Sequence, residues 1–335
     1  MAFDQSRLIA DFGDPTAEAA ACRNDCALFD FSFLEAARVE GAAAPETVER
    51  FSGRSLARLA QGEICYAVRV DTAGNARSDL TIWRTGSHAF EIMSGRREDI
   101  TDLLGCSGSN VAVTDLSRER AVFAAQGPGT LDALRKLGAV DRLARLRYFT
   151  FATGRFAGVP CLIGRLGYTG EAGFEIIAPR ASASELWKEL SHQLRPAGFI
   201  AADMLRIEAG FVLFANEFRL PVAPAEAGLG RFYLPPHRLS PQIKLVSFQA
   251  EAAGLSWPWQ PSPAIGRPQA PGIVAVTSAC NSIVAGGILA LGYVHVSTQA
   301  GMALHDPTGT FRNIRLMSMP FYDAKKQRPR AAWRR

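Results

Sequence analysis

The chemistry-bearing residues of this chain are densest in one run: Gly167-Tyr168-Thr169-Gly170-Glu171-Ala172-Gly173-Phe174-Glu175. Glycines at this spacing let the backbone turn tightly and approach other groups closely. Among them lie a phenol, Tyr168, and two carboxylates, Glu171 and Glu175. Carboxylates so placed serve proton transfer, or accept hydrogen bonds from a donor-rich ligand edge. On composition alone the run reads first as a β-turn on a strand pair with solvated glutamates, a glycine-rich turn being a weak signal of function. Asp79 and Tyr66 form a second candidate pair, on neighbouring segments that alternate apolar and polar residues. No Walker loop, no Gly-x-Gly-x-x-Gly after a strand and no Gly-x-Ser-x-Gly is present. The cysteines (Cys22, Cys26, Cys65, Cys106, Cys161, Cys280) have neither zinc-site nor disulfide-scaffold spacing. The histidines (His88, His192, His237, His295, His305) form no cluster, so structural roles and no metal are expected.

The elements that must position these groups are partly legible. Ile64, Tyr66, Val68 and Val70 alternate as a half-buried strand. Asp71 to Asn75 reads as a turn, Leu80 and Ile82 continue a second strand, and Thr85-Gly86-Ser87 leads into a third at Ala89 to Met93. A simple four-residue turn places Tyr66 almost opposite Asp79, whereas a bulge at Gly74 shifts that register by one. Helices are expected over residues 45–60, 130–137 (stopped by Gly138), from a Ser182/Glu185 capping box to Pro196, and over 201–209, ended by Gly210. In the last of these, Asp203 and Arg206 share a face. Residues 219–272, with Pro235-Pro236 and Trp257-Pro258-Trp259, are proline-rich and aperiodic. Strands follow at 273–277, 283–294 and 311–318. Mixed α and β segments followed by a β-rich end indicate an α+β protein with a separate C-terminal barrel.

Composition sets the outer limits. A chain of 335 residues with 48% hydrophobic and 21% charged residues is globular and long enough for about two domains. The net charge of +5 owes part of its excess to Lys325-Lys326-Gln327-Arg328-Pro329-Arg330 and Arg334-Arg335, read as a solvated tail. A basic tail is a poor nucleic-acid footprint, so no nucleic-acid partner is expected, while a small anionic ligand suits the charge. The start, Met-Ala-Phe-Asp-Gln-Ser-Arg, carries an acid where a signal peptide has a basic end. Residues 273–294 carry no charge, but Thr277, Ser278, Asn281 and Ser282 favour two buried strands with a polar turn over a membrane span. The expectation is a soluble, reduced, cytoplasmic protein.

Several segments taken together resemble the glycine cleavage T-protein family, the tetrahydrofolate-dependent aminomethyltransferases and their demethylase relatives. They are Leu28-Phe29-Asp30-Phe31-Ser32, Tyr66 followed by Gly74 and Ser78-Asp79-Leu80-Thr81, Gln126-Gly127-Pro128, and the glycine-rich run. Then come Leu205-Arg206-Ile207-Glu208-Ala209-Gly210, Glu226-Ala227-Gly228-Leu229-Gly230, Leu291-Gly292-Tyr293-Val294 and Pro320-Phe321-Tyr322-Asp323. The resemblance implies an α+β cloverleaf around a central folate channel. Its first two domains would interleave, as 1–36 with 134–211 and 37–133 with 212–248, leaving 249–335 as a small β-barrel. It implies tetrahydrofolate as one-carbon acceptor, Asp79 as catalytic carboxylate, Glu175 on the pterin edge, and Tyr66 and Tyr168 as walls. Arg206 matches a retained arginine, although a helix ion pair with Asp203 accounts for it too. These roles are physically coherent. A reduced pterin presents N–H donors to a carboxylate, aromatic rings flank its plane, and a carboxylate stabilises the cationic, iminium-like carbon in transit.

The departures from the family pattern fall on the donor side. Ala202-Asp203 stands where the family has Arg-Asp, Met93 or Ser94 where it has asparagine, and Ser32-Phe33 where it has Ser-His. They argue against a donor carried on a lipoyl protein and for a small methylated or aminomethyl donor. Two alternatives remain: a non-catalytic folate-binding protein supporting iron–sulfur enzymes, whose Lys-Gly-Cys-Tyr-x-Gly-Gln-Glu segment is missing here, and the folate-binding subunit of a larger oxidoreductase.

Overall fold

The computed structural model describes residues 8–138, 140–234 and 240–333. The opening heptapeptide, Pro235-Pro236, His237 and Arg334-Arg335 lie outside the described residues.

Three sheets organise the chain. Six strands form the first, in the order Arg195–Ala197, Ala27–Asp30, Arg120–Gln126, Gly173–Pro179, Val159–Gly164, Phe151–Phe156. Only the Ala27–Asp30 and Arg195–Ala197 pair is parallel there. Five antiparallel strands form the second: Ile64–Val70, Ala76–Gly86, Ala89–Ser94, Glu35–Glu40, Ala112–Asp115. The third has four, Val274–Ser282, Gly287–His295, Ile243–Glu251 and Arg312–Met317. Among the described residues this last sheet is open rather than closed into the expected barrel. The hairpin at one edge of this sheet is the uncharged 273–294 segment, whose largely buried strands flank an exposed turn. Strand Arg120–Gln126 pairs within the first sheet, not with the 37–133 segment that surrounds it in sequence.

The largest buried cluster draws on all three sheets, with Phe29, Val68, Trp83, Leu245 and Tyr293 in one core. Glycine makes one close approach possible: a Cβ on Gly164 would collide with the Trp83 ring. Helix Phe199–Glu208 runs through this core with every side chain but the partly buried Ile200 buried. Its one cation, Arg206, bonds Asp203 (2.8 Å), Glu217 (3.0 Å), the Ser278 hydroxyl (2.7 Å) and the Phe211 carbonyl (3.1 Å).

Several sequence expectations are corrected by local chemistry. The helix expected over 45–60 stops at Ser52, because Gly53 adopts the left-handed conformation that ends helices. The Ser182 side chain makes no cap bond to the helix Ala183–Ser191. Strand Ile243–Glu251 lies inside the stretch read as aperiodic, and helices Pro15–Asn24 and Arg97–Leu104 were not expected. In the meander, Tyr66 pairs with Thr81 and Asp79 with Val68. The five-residue loop and an irregularity at Arg69/Val70 together shift the register by two. An even shift preserves the face, so Tyr66 and Asp79 still point the same way.

Candidate functional site

A cavity of about 910 Å³ opens between the first two sheets and the C-terminal segment, and Asp79, Tyr66, Tyr168 and Glu175 all line it. Asp79 and Tyr66 come from adjacent strands of the meander, and the Tyr66 hydroxyl donates to Asp79 Oδ2 at 2.9 Å. Burial pushes the Asp79 carboxyl up to about 6, partly opposed by that hydrogen bond. Asp79 is therefore ionised at neutral pH yet able to exchange a proton near it. Burial also carries the Tyr66 phenol well above its ordinary range, keeping it a hydrogen-bond donor.

The glycine-rich run separates its two carboxylates. Gln126 threads the loop, donating to the carbonyls of Leu166 (3.1 Å) and Phe174 (3.3 Å) and accepting from Thr169 (3.1 Å). A Cβ on Gly167 or Gly173 would collide with this carboxamide, and Gly170 has a φ of +80°. Glu171 is fully engaged: it accepts from Arg23 (3.1 Å), from the Tyr322 hydroxyl (2.6 Å) and from Arg328 (3.2 Å). Glu175, on the strand that follows, is 8% exposed, and its carboxylate accepts no hydrogen bond from any described residue. Burial raises its carboxyl to about 7. The reading of both glutamates as solvated is thus overturned; one clamps the fold and the other faces the cavity with its acceptors free.

The remaining walls are aromatic. Tyr168 donates to the Val212 carbonyl at 2.5 Å, stacks on Phe211 at 6.1 Å and meets Phe31 edge-on at 6.5 Å. Phe232 meets Tyr66 edge-on at 4.9 Å. Four cations also reach the cavity, Arg54, Arg231, Lys326 and Arg330. Each lies over a ring: Arg54 and Arg231 over Phe232, Lys326 over Phe211, Arg330 over Tyr148.

Two sequence readings change here. The Lys325–Arg330 stretch is not a solvated tail. Lys326, Pro329 and Arg330 line the cavity, and Arg328 supplies part of the positive charge that the buried Glu171 needs. Sequence gave no sign of it, because a terminal basic run looks the same whether or not a buried acid receives it. Arg206, expected at the cofactor, does not line the cavity; its donors are spent on Asp203, Glu217 and Ser278. Arg206→Met is therefore expected to leave two buried acids unpaired and to cost about 3–5 kcal/mol of stability. Urea unfolding measures this. A variant as stable as the parent but unable to bind ligand would show instead that Arg206 belongs to the site.

A flat, donor-rich heterocycle with an anionic extension fits this lining: an unpartnered carboxylate, ring walls and a cationic rim. The architecture is that of a known class. It superposes on the glycine cleavage system aminomethyltransferase T from Bartonella henselae with a TM-score of 0.75, covering 96% of this chain and 91% of that one at 23% identity. Residues 10–234 match the family model described as the GCVT N-terminal domain, and the chain belongs to that family, the glycine cleavage T-protein family. The aminomethyltransferase of Halothermothrix orenii is 34% identical over 221 residues, 64% of this chain and 62% of that protein. That of Cutibacterium acnes is 30% identical over 235 residues, covering 66% and 63%. These two matches thus span under two thirds of the relatives' length. The probable aminomethyltransferase of Halobacterium salinarum is 30% identical over 338 residues, covering 93% of this chain and 92% of the relative. Among the described residues no helix is long and apolar enough to cross a membrane.

Proposed function

We propose that the chain is a tetrahydrofolate-dependent one-carbon transferase, moving a methylene or methyl unit from a small methylated or aminomethyl donor to the folate. The observation that carries the reading is that Asp79 and Glu175 line one cavity, walled by Tyr66 and Tyr168. Its volume of about 910 Å³ is near the upper end for small-molecule sites, roughly 300–1,000 Å³, leaving room for acceptor and donor together. Relatives named aminomethyltransferase support it.

In this reading Glu175 accepts hydrogen bonds from the N–H edge of the pterin, and the rings of Tyr66 and Tyr168 flank its plane. The cationic rim of Arg54, Arg231, Lys326 and Arg330 receives the carboxylates at the other end of the molecule. Tetrahydrofolate supplies the nucleophilic nitrogen that takes up the carbon. Asp79, held by the Tyr66 hydroxyl, stabilises positive charge on the carbon in transit and exchanges the proton. The lobes 1–36 with 134–211, 37–133 with 212–248, and 249–335 belong to the same proposal, with Arg120–Gln126 counted in the first because it pairs there. An ionisable, cavity-facing Asp79 favours catalysis over a purely folate-binding role.

Titration calorimetry of the full chain with tetrahydrofolate under anaerobic conditions tests the binding half. One-to-one binding is expected, weakening as salt screens the cationic rim. Folded protein that takes up no heat-detectable ligand at millimolar folate would reject the reading.

A further inference from the structure

The two walls of the cavity belong to different sheets, and one turn joins them. Tyr66 and Asp79 stand on the second sheet, Glu175 on the first. From Arg147 to Thr150 the chain turns tightly, the Thr150 N–H donating to the Arg147 carbonyl at 3.1 Å. Phe149, third in that turn, donates its N–H to the Arg165 carbonyl (2.9 Å), and its own carbonyl accepts from the Ile64 N–H (2.9 Å). Arg165 follows Gly164, the cross-strand partner of Glu175, and Ile64 lies two residues before Tyr66. A bridge between Thr150 and Glu63, and a bond from the Phe151 N–H to the Gly62 carbonyl (2.9 Å), continue the joint. The backbone of Phe149 thus ties the Glu175 wall to the Tyr66 wall.

That backbone is out of the ordinary. Five non-glycine residues among those described have positive φ, and Phe149, at 64°, is the only aromatic one of them. A left-handed third position in a turn is where glycine serves, and a bulky L-residue held there is strained. Hydrogen bonds on both sides over-determine the conformation, and strain kept in this way collects at functional sites. Phe149 also lines the cavity, its ring edge-on to that of Tyr148 at 4.8 Å. The left-handed well of an L-residue is small, so the joint has little angular play. Glycine, at ease in both halves of the map, would let it rock.

Resting on the function proposed above, we infer that Phe149 is a positioning residue. Its left-handed backbone sets the spacing between the Glu175 wall and the Tyr66/Asp79 wall before a ligand arrives. The ligand then meets both walls without having to order them, which is how preorganisation adds affinity. A residue at ease in this conformation would stabilise the fold and blur the placement.

Phe149→Ala and Phe149→Gly, made in the full chain, both lack the ring and differ in backbone freedom. The glycine variant's thermal midpoint should exceed the alanine variant's by about 2 °C, because alanine stays strained at positive φ. Its tetrahydrofolate Kd, measured by calorimetry, should nonetheless be roughly three- to tenfold weaker than the alanine variant's. Exchange of the Ile64 amide hydrogen, which is donated to the Phe149 carbonyl, should be about tenfold faster in the glycine variant. Saturating tetrahydrofolate should slow it again. Ala157→Gly is the control: Ala157 also has positive φ (47°) but does not line the cavity, so the midpoint should rise and Kd stay unchanged. Should Phe149→Ala fail to fold, Phe149→Asn, whose side chain tolerates the left-handed region, replaces it in the affinity and exchange arms. Stability and affinity moving in opposite directions support the inference, since a residue that only held the fold together would move them together. A Kd no weaker in the glycine variant, equal Ile64 exchange, or a glycine variant less stable than the alanine one overturns it. Those results leave the proposed function standing, whereas a parent chain that binds no tetrahydrofolate sinks the function and the positioning role with it.

Discussion

Asp79→Asn is expected to lower kcat for one-carbon transfer by at least roughly 10²–10³-fold, the range for losing one preorganised electrostatic partner of a transition state. Reduced-folate affinity should stay within several-fold, because asparagine keeps the shape and can still accept the Tyr66 hydroxyl at the same place. What it loses is the negative charge and the ability to take a proton. A pH arm sharpens the prediction. The Tyr66 hydrogen bond lowers the Asp79 carboxyl against the burial that raises it to about 6. In Tyr66→Phe the opposing effect is gone, so the acid limb of the pH–rate profile should move to higher pH. Steady-state rates measured by formation of methylene- or methyl-tetrahydrofolate, beside calorimetric Kd values, decide it. Turnover of Asp79→Asn within tenfold of the parent would remove Asp79 from the chemistry. A loss of folate binding equal to the loss of rate would make it a ligand-binding residue instead.

Much of this site was legible before any coordinates, for a reason the meander makes plain. Alternation on Ile64–Val70 and Ala76–Gly86 determines which face each side chain occupies, and face survives an even error in register. Tyr66 and Asp79 therefore meet although their expected pairing is off by two residues. The glycine-rich run declared itself through composition, yet not through role. Nothing in its sequence says that Glu171 would be met by Arg23, Tyr322 and Arg328 while Glu175 would be met by no described residue. Those partners lie about 150 positions away in either direction along the chain, at |i−j| of 148, 151 and 157. The aromatic wall was hidden for the same reason. Phe31, Phe211 and Phe232 come from separate segments, and each alone looks like ordinary core. The C-terminal sheet shows the opposite failure. Strands rich in β-branched residues announce themselves, but whether they close depends on edge pairing, which local pattern does not encode.

Glu175→Gln should weaken tetrahydrofolate binding while stabilising the free protein, a combination that few structural residues would give. On the binding side, a carboxylate accepting from a pterin N–H edge makes one or two charge-assisted hydrogen bonds. Replacing it with a neutral amide should cost about 10- to 100-fold in Kd. On the stability side, the folded carboxyl is raised to about 7 against an ordinary value of 4.5. The folded chain thus holds this proton more tightly than the unfolded chain between those values, so the carboxylate progressively destabilises the fold as pH rises from about 4.5 to about 7. Above that window the cost is at most about 3 kcal/mol. Glutamine removes it. The variant's thermal midpoint should therefore exceed the parent's at pH 8 and match it near pH 4.5. Saturating tetrahydrofolate should then raise the parent's midpoint more than the variant's, because a ligand that binds only the native state stabilises in proportion to ln(1 + [L]/Kd). Scanning both proteins at the two pH values, with and without ligand, gives four differences from one experiment. Unchanged folate affinity in Glu175→Gln would show that the carboxylate is not the anchor, whatever the midpoints do. A variant less stable than the parent at pH 8 would show that Glu175 has a partner holding it in the fold, and that its acceptors are not kept free for a ligand.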